Sequence, residues 1–269
     1  MKRLLLAAAL GLALSIAACG GGSPPTTPTS PAPIPAADAC GALGVLGSMP
    51  GSIAILSGAE CSVARSPVVK LNMRTSGNFG LGSCSGTIIG PRAVLTAAHC
   101  LDEDVGIVRV WLGDLTPEYI AQSFAYYPGF VFNQSGFDVG VVFLAEDLPR
   151  TPVSVLTSRQ GRIGETAIIA GFGRNEDSDT TALRAGSTSI AGVTSVYLES
   201  LYAPPASSIC SGDSGGPIFL SEGGAWVIAG ISSATTGSAC NQGTNFYQAV
   251  VNESVRNFIV QLVPAVAQR

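Results

Sequence analysis

Residues 210–217 read Cys-Ser-Gly-Asp-Ser-Gly-Gly-Pro, and no other stretch of the chain carries as much information about fold and chemistry. It presents the hydroxyl of Ser214 between glycines, which lack side chains and therefore let backbone N–H groups crowd against a target carbonyl. The stretch indicates a serine nucleophile that has its own oxyanion hole.

The second candidate site residue is His99, the only histidine of the chain. A serine hydroxyl is a poor nucleophile until a neighbouring imidazole removes its proton. His99 lies in Thr96-Ala-Ala-His-Cys100, after an apolar run at 93–95 that is typical of a buried strand end. His99 is therefore the candidate general base.

The third candidate is Asp138, in the sequence Gly-Phe-Asp-Val-Gly-Val-Val-Phe-Leu at 136–144. A catalytic imidazole needs a carboxylate to fix its tautomer and to stabilise its charge. Asp138 opens a strongly apolar strand, where an unpartnered carboxylate would be costly to bury. The remaining candidates lie in more polar, loop-like contexts: Asp102, Asp104, Asp114 and Asp147.

Three segments resemble, in this order, the chymotrypsin-like (trypsin-fold) serine proteases: CSGTIIGPRAVLTAAHC at 84–100, FDVGVVFL at 137–144 and CSGDSGGP at 210–217. In that family the catalytic triad runs His, Asp, Ser along the chain, whereas other large serine hydrolase folds use other orders. The resemblance implies a triad of His99, Asp138 and Ser214. It also implies an oxyanion hole formed by the backbone N–H groups of Gly212 and Ser214.

The resemblance extends from about residue 55 to the C-terminus and implies the fold as well. We expect an all-β protein of two antiparallel six-stranded β-barrels with a C-terminal helix, in a protease domain at 55–269 that follows a propeptide-like segment at 39–54. Short apolar runs bounded by Gly, Pro, Asn and Ser agree with this fold. They occur at 68–73, 87–89, 108–112, 139–144, 166–170, 187–190, 217–220, 226–231 and 246–251.

The C-terminal helix is predicted from apolar residues at helical spacing: Val255, Phe258, Ile259 and Leu262. Asn252 or Ser254 would cap it. We expect its apolar face to pack on the second barrel.

Residues 1–18 have the composition of a signal peptide, with a basic start and an apolar stretch too short for a comfortable membrane span. The sequence Ile16-Ala-Ala-Cys19 resembles the lipobox of bacterial lipoproteins, which implies lipidation of Cys19. Residues 19–38 are rich in Gly, Ser, Thr and Pro and read as a flexible tether. We therefore expect a secreted protein, lipid-anchored to the membrane at the bacterial cell envelope or its extracellular face. The alternative is an ordinary signal peptide with an incidental cysteine.

Seven cysteines are present, and setting Cys19 aside leaves an even number, as suits a compartment that permits disulfides. The spacing alone allows many pairings. The family resemblance selects two pairs and leaves a third by remainder: Cys84 with Cys100, Cys210 with Cys240, and Cys40 with Cys61. With every thiol paired, zinc has no ligand set, and we expect no metal and no cofactor.

The segment beginning at Ile55 resembles the family's mature N-terminus, whose freed amino group pairs with the acid just before the nucleophile, here Asp213. We expect cleavage between Ala54 and Ile55 to create an ammonium that neutralises Asp213 and orders the oxyanion loop. Ala54 is not the basic residue found at many activation sites of the family, and Ile53 is a rival start.

Alignment with the family places Ser208 at the floor of the primary specificity pocket and Thr235 and Asn245 on its walls. With no acid at the floor, a preference for Arg or Lys is disfavoured, since a buried cation would lack its carboxylate. We expect small or medium uncharged side chains there. The backbone from Ser233 to Thr235 would pair with an extended substrate.

Acidic residues outnumber basic ones, 18 to 14, for a net charge of −4, which gives no support to nucleic-acid binding. We expect polypeptide substrates and a monomer. Two alternatives to a protease stay open: a catalytically silent, lipid-anchored binding protein on the same fold, and an esterase that acts on small acyl substrates.

Overall fold

The computed structural model describes residues 39–41, 48–53 (backbone only), 55–102, 104–113, 118–132, 134–174, 180–237 and 239–269. The predicted signal peptide, Cys19, the whole tether at 19–38 and Ala54 of the predicted cleavage site lie outside these residues. The strands are β1 (Ser48–Ile53), β2 (Ala59–Cys61), β3 (Val68–Arg74), β4 (Gly80–Gly90), β5 (Ala93–Thr96), β6 (Ile107–Trp111), β7 (Tyr119–Tyr126), β8 (Gly140–Leu144), β9 (Thr166–Gly171), β10 (Arg184–Val193), β11 (Tyr197–Leu201), β12 (Pro217–Glu222), β13 (Ala225–Thr235) and β14 (Thr244–Ala249).

The first barrel closes in the order β3-β4-β5-β8-β7-β6, and all of its pairings are antiparallel. In β3, Val69, Leu71 and Met73 are buried while Lys70 and Asn72 between them are less buried. This two-residue period is the pattern of a strand with one face on a core.

The second barrel consists of β9 to β14 and closes because β10 pairs with β9 through its first half and with β11 through its second. Strand β2 pairs with the start of β10, and β1 pairs with β2, so β1 before residue 55 and β2 after it add a hairpin to this sheet. The expected architecture of two antiparallel six-stranded barrels is confirmed, with the β1–β2 hairpin as an addition.

Helix α1 (Glu253–Leu262) is capped by Asn252, whose side-chain oxygen accepts hydrogen bonds from Ser254 N and Val255 N. This is the expected helix with the first of its two candidate caps. Its ring contact, Phe258 against Tyr127 at 5.6 Å between centroids, is with the first barrel, because Tyr127 follows β7. The helix therefore also contacts the first barrel, which the expectation of packing on the second barrel did not include.

Three disulfides join Cys40 to Cys61, Cys84 to Cys100 and Cys210 to Cys240, with Cα–Cα distances of 5.4, 6.3 and 5.0 Å. They are the pairs that the resemblance implies. Across the described ranges, no helix is both long and apolar enough to span a bilayer.

Candidate active site

His99 lies in a short 3-10 helix (Ala98–Cys100) that begins directly after β5. Its neighbours Ala98 and Cys100 are buried, and the Cys84–Cys100 disulfide ties the turn to β4. The imidazole is 15% exposed. The buried neighbours therefore fix the backbone of this turn while the ring remains open to the surface.

Asp138 lies two residues before β8, and β8 pairs with β5 so that Thr96 is opposite Gly140. The end of β5, which leads to His99, and the segment just before β8 therefore lie side by side. Asp138 Oδ2 is 2.8 Å from His99 Nδ1. Its Oδ1 accepts a hydrogen bond from His99 N at 3.0 Å. Both the ring and the backbone of His99 are therefore held by one carboxylate.

Both the carboxylate and the backbone N–H of Asp138 also form hydrogen bonds with the second barrel. Ser233 in β13 donates to Asp138 Oδ2 at 2.5 Å, and Gln248 in β14 accepts from Asp138 N at 3.0 Å. Burial alone raises the pKa of Asp138, but hydrogen bonds from His99 and Ser233 and the charge of His99 outweigh burial, so this pKa is lowered overall. Sequence reasoning did not link either residue to Asp138, because both are distant in sequence.

Ser214 lies in the turn before β12 and is partly exposed. Ser85 N donates to Ser214 O at 2.8 Å, and Ser85 is the neighbour of Cys84, whose disulfide partner Cys100 follows His99. The nucleophile turn is thereby attached to the part of the first barrel that carries His99. Within the described part of the chain, no hydrogen bond joins the Ser214 hydroxyl to His99.

The expected oxyanion amides belong to the same turn. Gly212 has a φ of +98°, a conformation that favours glycine. A side chain there would also meet the backbone, because a Cβ built on Gly212 would be 3.0 Å from Gly173 Cα. Among the residues that the structure describes, neither Gly212 N nor Ser214 N donates a hydrogen bond to the protein.

Asp213 points away from the surface and is almost completely buried. Its two carboxylate oxygens accept hydrogen bonds from Gly173 N at 2.8 Å and Cys210 N at 2.9 Å. Burial raises the pKa of Asp213 to about 6, although these two bonds and the charge of Arg184 oppose the rise. Ile55 is buried too, and no hydrogen bond or ion pair among the described residues joins it to Asp213.

The predicted pocket residues Ser208 and Asn245 are fully buried and in contact. Asn245 Nδ2 donates to Ser208 Oγ at 3.1 Å and to Ser200 Oγ at 3.2 Å, and Ser200 Oγ is 3.0 Å from the Tyr247 hydroxyl. Thr235 lies opposite Asn245 in the β13–β14 ladder. The structure therefore brings Ser208, Asn245 and Thr235 together, whereas Ser233 lies at Asp138.

A cavity of about 300 Å³ opens beside Asp138. Its lining combines aromatic and polar side chains from a loop of the first barrel and from strands of the second, among them Phe130, Phe132, Gln134, Tyr197 and Ser233. Phe132 also contacts the ring of His99, with 5.8 Å between centroids. The cavity was not predicted, because the residues that line it come from three separate parts of the chain.

Metal-ligand residue types also occur at His99. One ring nitrogen of His99 and the sulfurs of Cys84 and Cys100 lie within 4.8 Å of one another. These two sulfurs form a disulfide. They are not available as thiolates, which are the form in which cysteine binds zinc.

Two six-stranded barrels with a terminal helix, and a paired histidine and aspartate between them, define the class of chymotrypsin-fold proteins. A family model described as Trypsin matches residues 55–259, more than half of the chain. The chain therefore belongs to the trypsin family of serine proteases. Family membership implies a serine peptidase that acts on polypeptides, and together with three disulfides it indicates a secreted or extracellular protein.

Similar proteins agree with this family. Chymotrypsin-like elastase family member 1 of Bos taurus is 28% identical over 203 residues, which cover 62% of this chain and 73% of that protein. Serine proteinase stubble of Drosophila melanogaster is 24% identical over 224 residues, 69% of this chain but only 28% of that protein. A solved structure of HL collagenase superposes with a TM-score of 0.62 at 20% identity, covering 74% of this chain and 93% of that one, and supports the fold alone.

Proposed function

We propose that the chain is an endopeptidase that cleaves peptide bonds through a triad of His99, Asp138 and Ser214 and an acyl-enzyme intermediate. The observation that carries the proposal is the 2.8 Å contact between Asp138 Oδ2 and His99 Nδ1. This contact leaves the other ring nitrogen, Nε2, to act on a hydroxyl.

In the first half-reaction, Ser214 Oγ attacks the substrate carbonyl while His99 Nε2 takes its proton. Asp138 accepts the Nδ1–H bond, holds the tautomer and stabilises the imidazolium that forms. His99 then protonates the leaving amine, the C–N bond breaks, and the acyl group remains on Ser214. Water repeats the cycle on the acyl-enzyme. In unliganded enzymes the bond between hydroxyl and imidazole is often long and tightens with substrate, so its absence here agrees with this mechanism.

The N–H groups of Gly212 and Ser214 would hold the oxyanion of each tetrahedral intermediate. Support comes from their lack of acceptors within the described part of the protein and from the glycine conformation at φ +98°. Donors fixed before the reaction stabilise the charge as it develops without reorganising at that moment.

The primary pocket favours small or medium uncharged side chains in this proposal. Asn245 fills the region next to Ser208 with an amide that is already hydrogen-bonded to two serines. A substrate cation there would find no carboxylate. The strand from Ser233 to Thr235 would bind an extended peptide as an added strand, which would run past the cavity beside Asp138.

Two further features of the proposal concern activation and location. Cleavage before Ile55 would free an ammonium for Asp213, whose buried carboxylate has two N–H partners and a raised pKa of about 6. Mass spectrometry of the mature N-terminus tests this feature. Lipidation of Cys19 would anchor the protein at the bacterial envelope, and Cys19→Ala should then move it from the detergent phase to the aqueous phase in Triton X-114 partitioning.

The proposed activity is tested by labelling with a fluorophosphonate probe. Wild-type protein should react at Ser214, and Ser214→Ala should not. Ser211→Ala is the matched control, because Ser211 is an exposed serine in the same turn. Unlabelled wild-type protein would favour the catalytically silent binding protein. Turnover of a short-chain ester without turnover of casein would favour the esterase.

A further inference from the structure

Ser85 in β4 is a fully buried residue of the first barrel whose polar groups reach the nucleophile turn of the second. Its hydroxyl donates to Gly212 O at 2.8 Å and accepts from Phe172 N at 2.9 Å. Its backbone N–H donates to Ser214 O at 2.8 Å. One residue therefore binds the carbonyls on both sides of Asp213.

The carbonyl of Gly212 occupies a decisive position in the turn. It belongs to the peptide unit that lies between the two units supplying the N–H groups of Gly212 and Ser214. This middle unit shares a Cα atom with each of them, so its orientation is linked to theirs through the dihedral angles of Gly212 and Asp213. Glycine has several accessible backbone conformations, and Gly212 itself does not select the one observed. An external donor at a fixed position can select it.

Ser85 is such a fixed donor because glycines surround it closely. A Cβ built on Gly171 would lie 2.9 Å from Ser85 Oγ, and one built on Gly215 would lie 2.4 Å from Ser85 O. The carbonyl of Ser85 also accepts a hydrogen bond from the buried Thr96 hydroxyl at 2.9 Å. Backbone and side chain of Ser85 are therefore both held, and the position of the hydroxyl is set by the first barrel.

We propose that Ser85 is a positioning residue for the oxyanion hole: its hydroxyl holds the Gly212 carbonyl and so directs the N–H groups of Gly212 and Ser214. The inference rests on the proposed function and adds a residue outside the triad. The hydrogen bond from Phe172 N completes the hydroxyl's own bonding and orients its proton toward Gly212.

The kinetic signature follows from when the oxyanion forms. Bonds to an oxyanion strengthen in the transition state, so their loss lowers kcat and leaves substrate binding nearly unchanged. Removal of a whole oxyanion donor costs about 10²–10³ in kcat. Misdirection of two donors that remain present should cost less, and we expect a fall of about 10-fold to 100-fold for Ser85→Ala.

The experiment compares wild type, Ser85→Ala, Ser85→Cys and Ser66→Ala. Ser66 is the matched control, since it is also a buried serine, lies just before β3 and, among the described residues, has a hydroxyl that bonds only with Val68 N and Val68 O. For each protein, kcat and KM on a peptide substrate, the inhibition constant of a peptide boronate and the unfolding temperature are measured. A boronate that mimics the tetrahedral intermediate reports oxyanion binding directly.

We expect kcat and boronate affinity to fall together in Ser85→Ala at nearly constant KM, while Ser66→Ala loses stability alone. Ser85→Cys, with similar volume and a weaker donor, should lie between wild type and Ser85→Ala, and it serves in place of Ser85→Ala if that variant does not fold. A kcat within twofold of wild type in the Ser85 variants would overturn the inference alone. Absence of Ser214-dependent turnover in wild type would overturn the proposed function and this inference together.

Discussion

Asp138 and Asp213 are both buried carboxylates, but their surroundings are of opposite kinds. Asp138 lies where the barrels meet and binds side chains, the imidazole of His99 and the hydroxyl of Ser233. Asp213 lies inside the nucleophile turn and binds backbone N–H groups of Gly173 and Cys210. The pKa of Asp138 is lowered and that of Asp213 is raised to about 6.

The difference shows that burial does not by itself set the charge state of a carboxyl group. At Asp138, burial disfavours the ionised form, but the hydrogen bonds from His99 and Ser233 and the charge interaction with His99 outweigh burial. At Asp213, two neutral N–H donors and the charge of Arg184 do not compensate for burial. Ionised Asp138 suits proton transfer at the His99 ring. The ionised form of Asp213 is not fully compensated for its burial, and a cation beside it would stabilise that form.

The largest effect is expected from Asp138→Asn. An amide does not hold the imidazole in the required tautomer, and kcat should fall by about 10⁴-fold with little change in KM. Steady-state kinetics on a peptide substrate measure this fall. Asp147→Asn is the control, because Asp147 pairs with Arg92 at the surface, and its kcat should equal that of wild type. Equal activity of the two variants would remove Asp138 from the mechanism.

Replacement of both Cys84 and Cys100 by Ala tests whether their disulfide holds the turn that carries His99 in place. A crosslink with a sequence separation of 16 residues stabilises a fold by about 3 kcal/mol on chain-entropy grounds. Urea unfolding should show a loss of this order, accompanied by a fall in kcat because the turn carrying His99 is released. The same change at Cys210–Cys240 should instead disturb the nucleophile turn, which contains both Cys210 and Asp213. If both variants kept wild-type kcat, neither disulfide would be needed to shape the site.

Asp213→Asn should change how stability depends on pH. The pKa of Asp213 rises from 3.8 to about 6, so its protonated form stabilises the fold fully below pH 3.8, and this stability is lost as pH rises through about 6. The loss amounts to roughly 2 to 3 kcal/mol at most. Urea unfolding at pH 4 and pH 7 should therefore show a smaller decrease for the variant than for wild type.

Asp138→Asn should have the opposite effect on pH dependence, and it should be seen at lower pH, in urea unfolding from pH 4 downward. The lowered pKa of Asp138 means that its ionised form stabilises the fold above its ordinary pKa, and this stability is lost as pH falls through the lowered value. The variant should therefore lose less stability than wild type on acidification. Parallel pH profiles for the two Asn variants would contradict the contrast between the two carboxylates.

The smallest effect is expected from Ser233→Ala. The hydroxyl supplies one of the hydrogen bonds that lower the pKa of Asp138, and the bonds from His99 remain. Hydrogen bonds to charged groups contribute about 1.5 to 3 kcal/mol, and because the bonds from His99 remain we expect the lower end of this range, a fall in kcat of about tenfold. Ser232→Ala at the adjacent buried serine is the control. An unchanged kcat in Ser233→Ala would mean that His99 alone holds the carboxylate.

Sequence reasoning succeeded where the signal is local. The apolar runs predicted most of the strands that form the barrels, and the pattern around Val255 and Ile259 predicted α1 and its cap Asn252. It missed β7 and β11, which lack a continuous buried run. In β7, for example, Ile120 is 62% exposed. It also missed β1 and β2. Strand β1 contains Pro50 and Gly51, residues that are depleted in strands, and they lie in the irregular stretch between the Ser48–Cys61 and Ile53–Ala59 pairs.

At the site, the family resemblance predicted a triad of His99, Asp138 and Ser214, and the structure brings the first two into contact. It gave no indication of Ser85 or Gln248. The hydroxyl of Ser85 bonds with residues 87 and 127 positions away, and Gln248 with one 110 positions away. No local pattern records such partners, because they become neighbours only when the two barrels pack together.

The Cys40–Cys61 disulfide encloses the turn between β1 and β2. Hydrolysis of any peptide bond within that loop creates two new chain ends but releases no fragment. Such a nicked molecule would run as a single band on a non-reducing gel and as two after treatment with dithiothreitol. In a molecule cut within this loop, reduction of the disulfide is therefore what would release the part of the chain before the cut from the barrels.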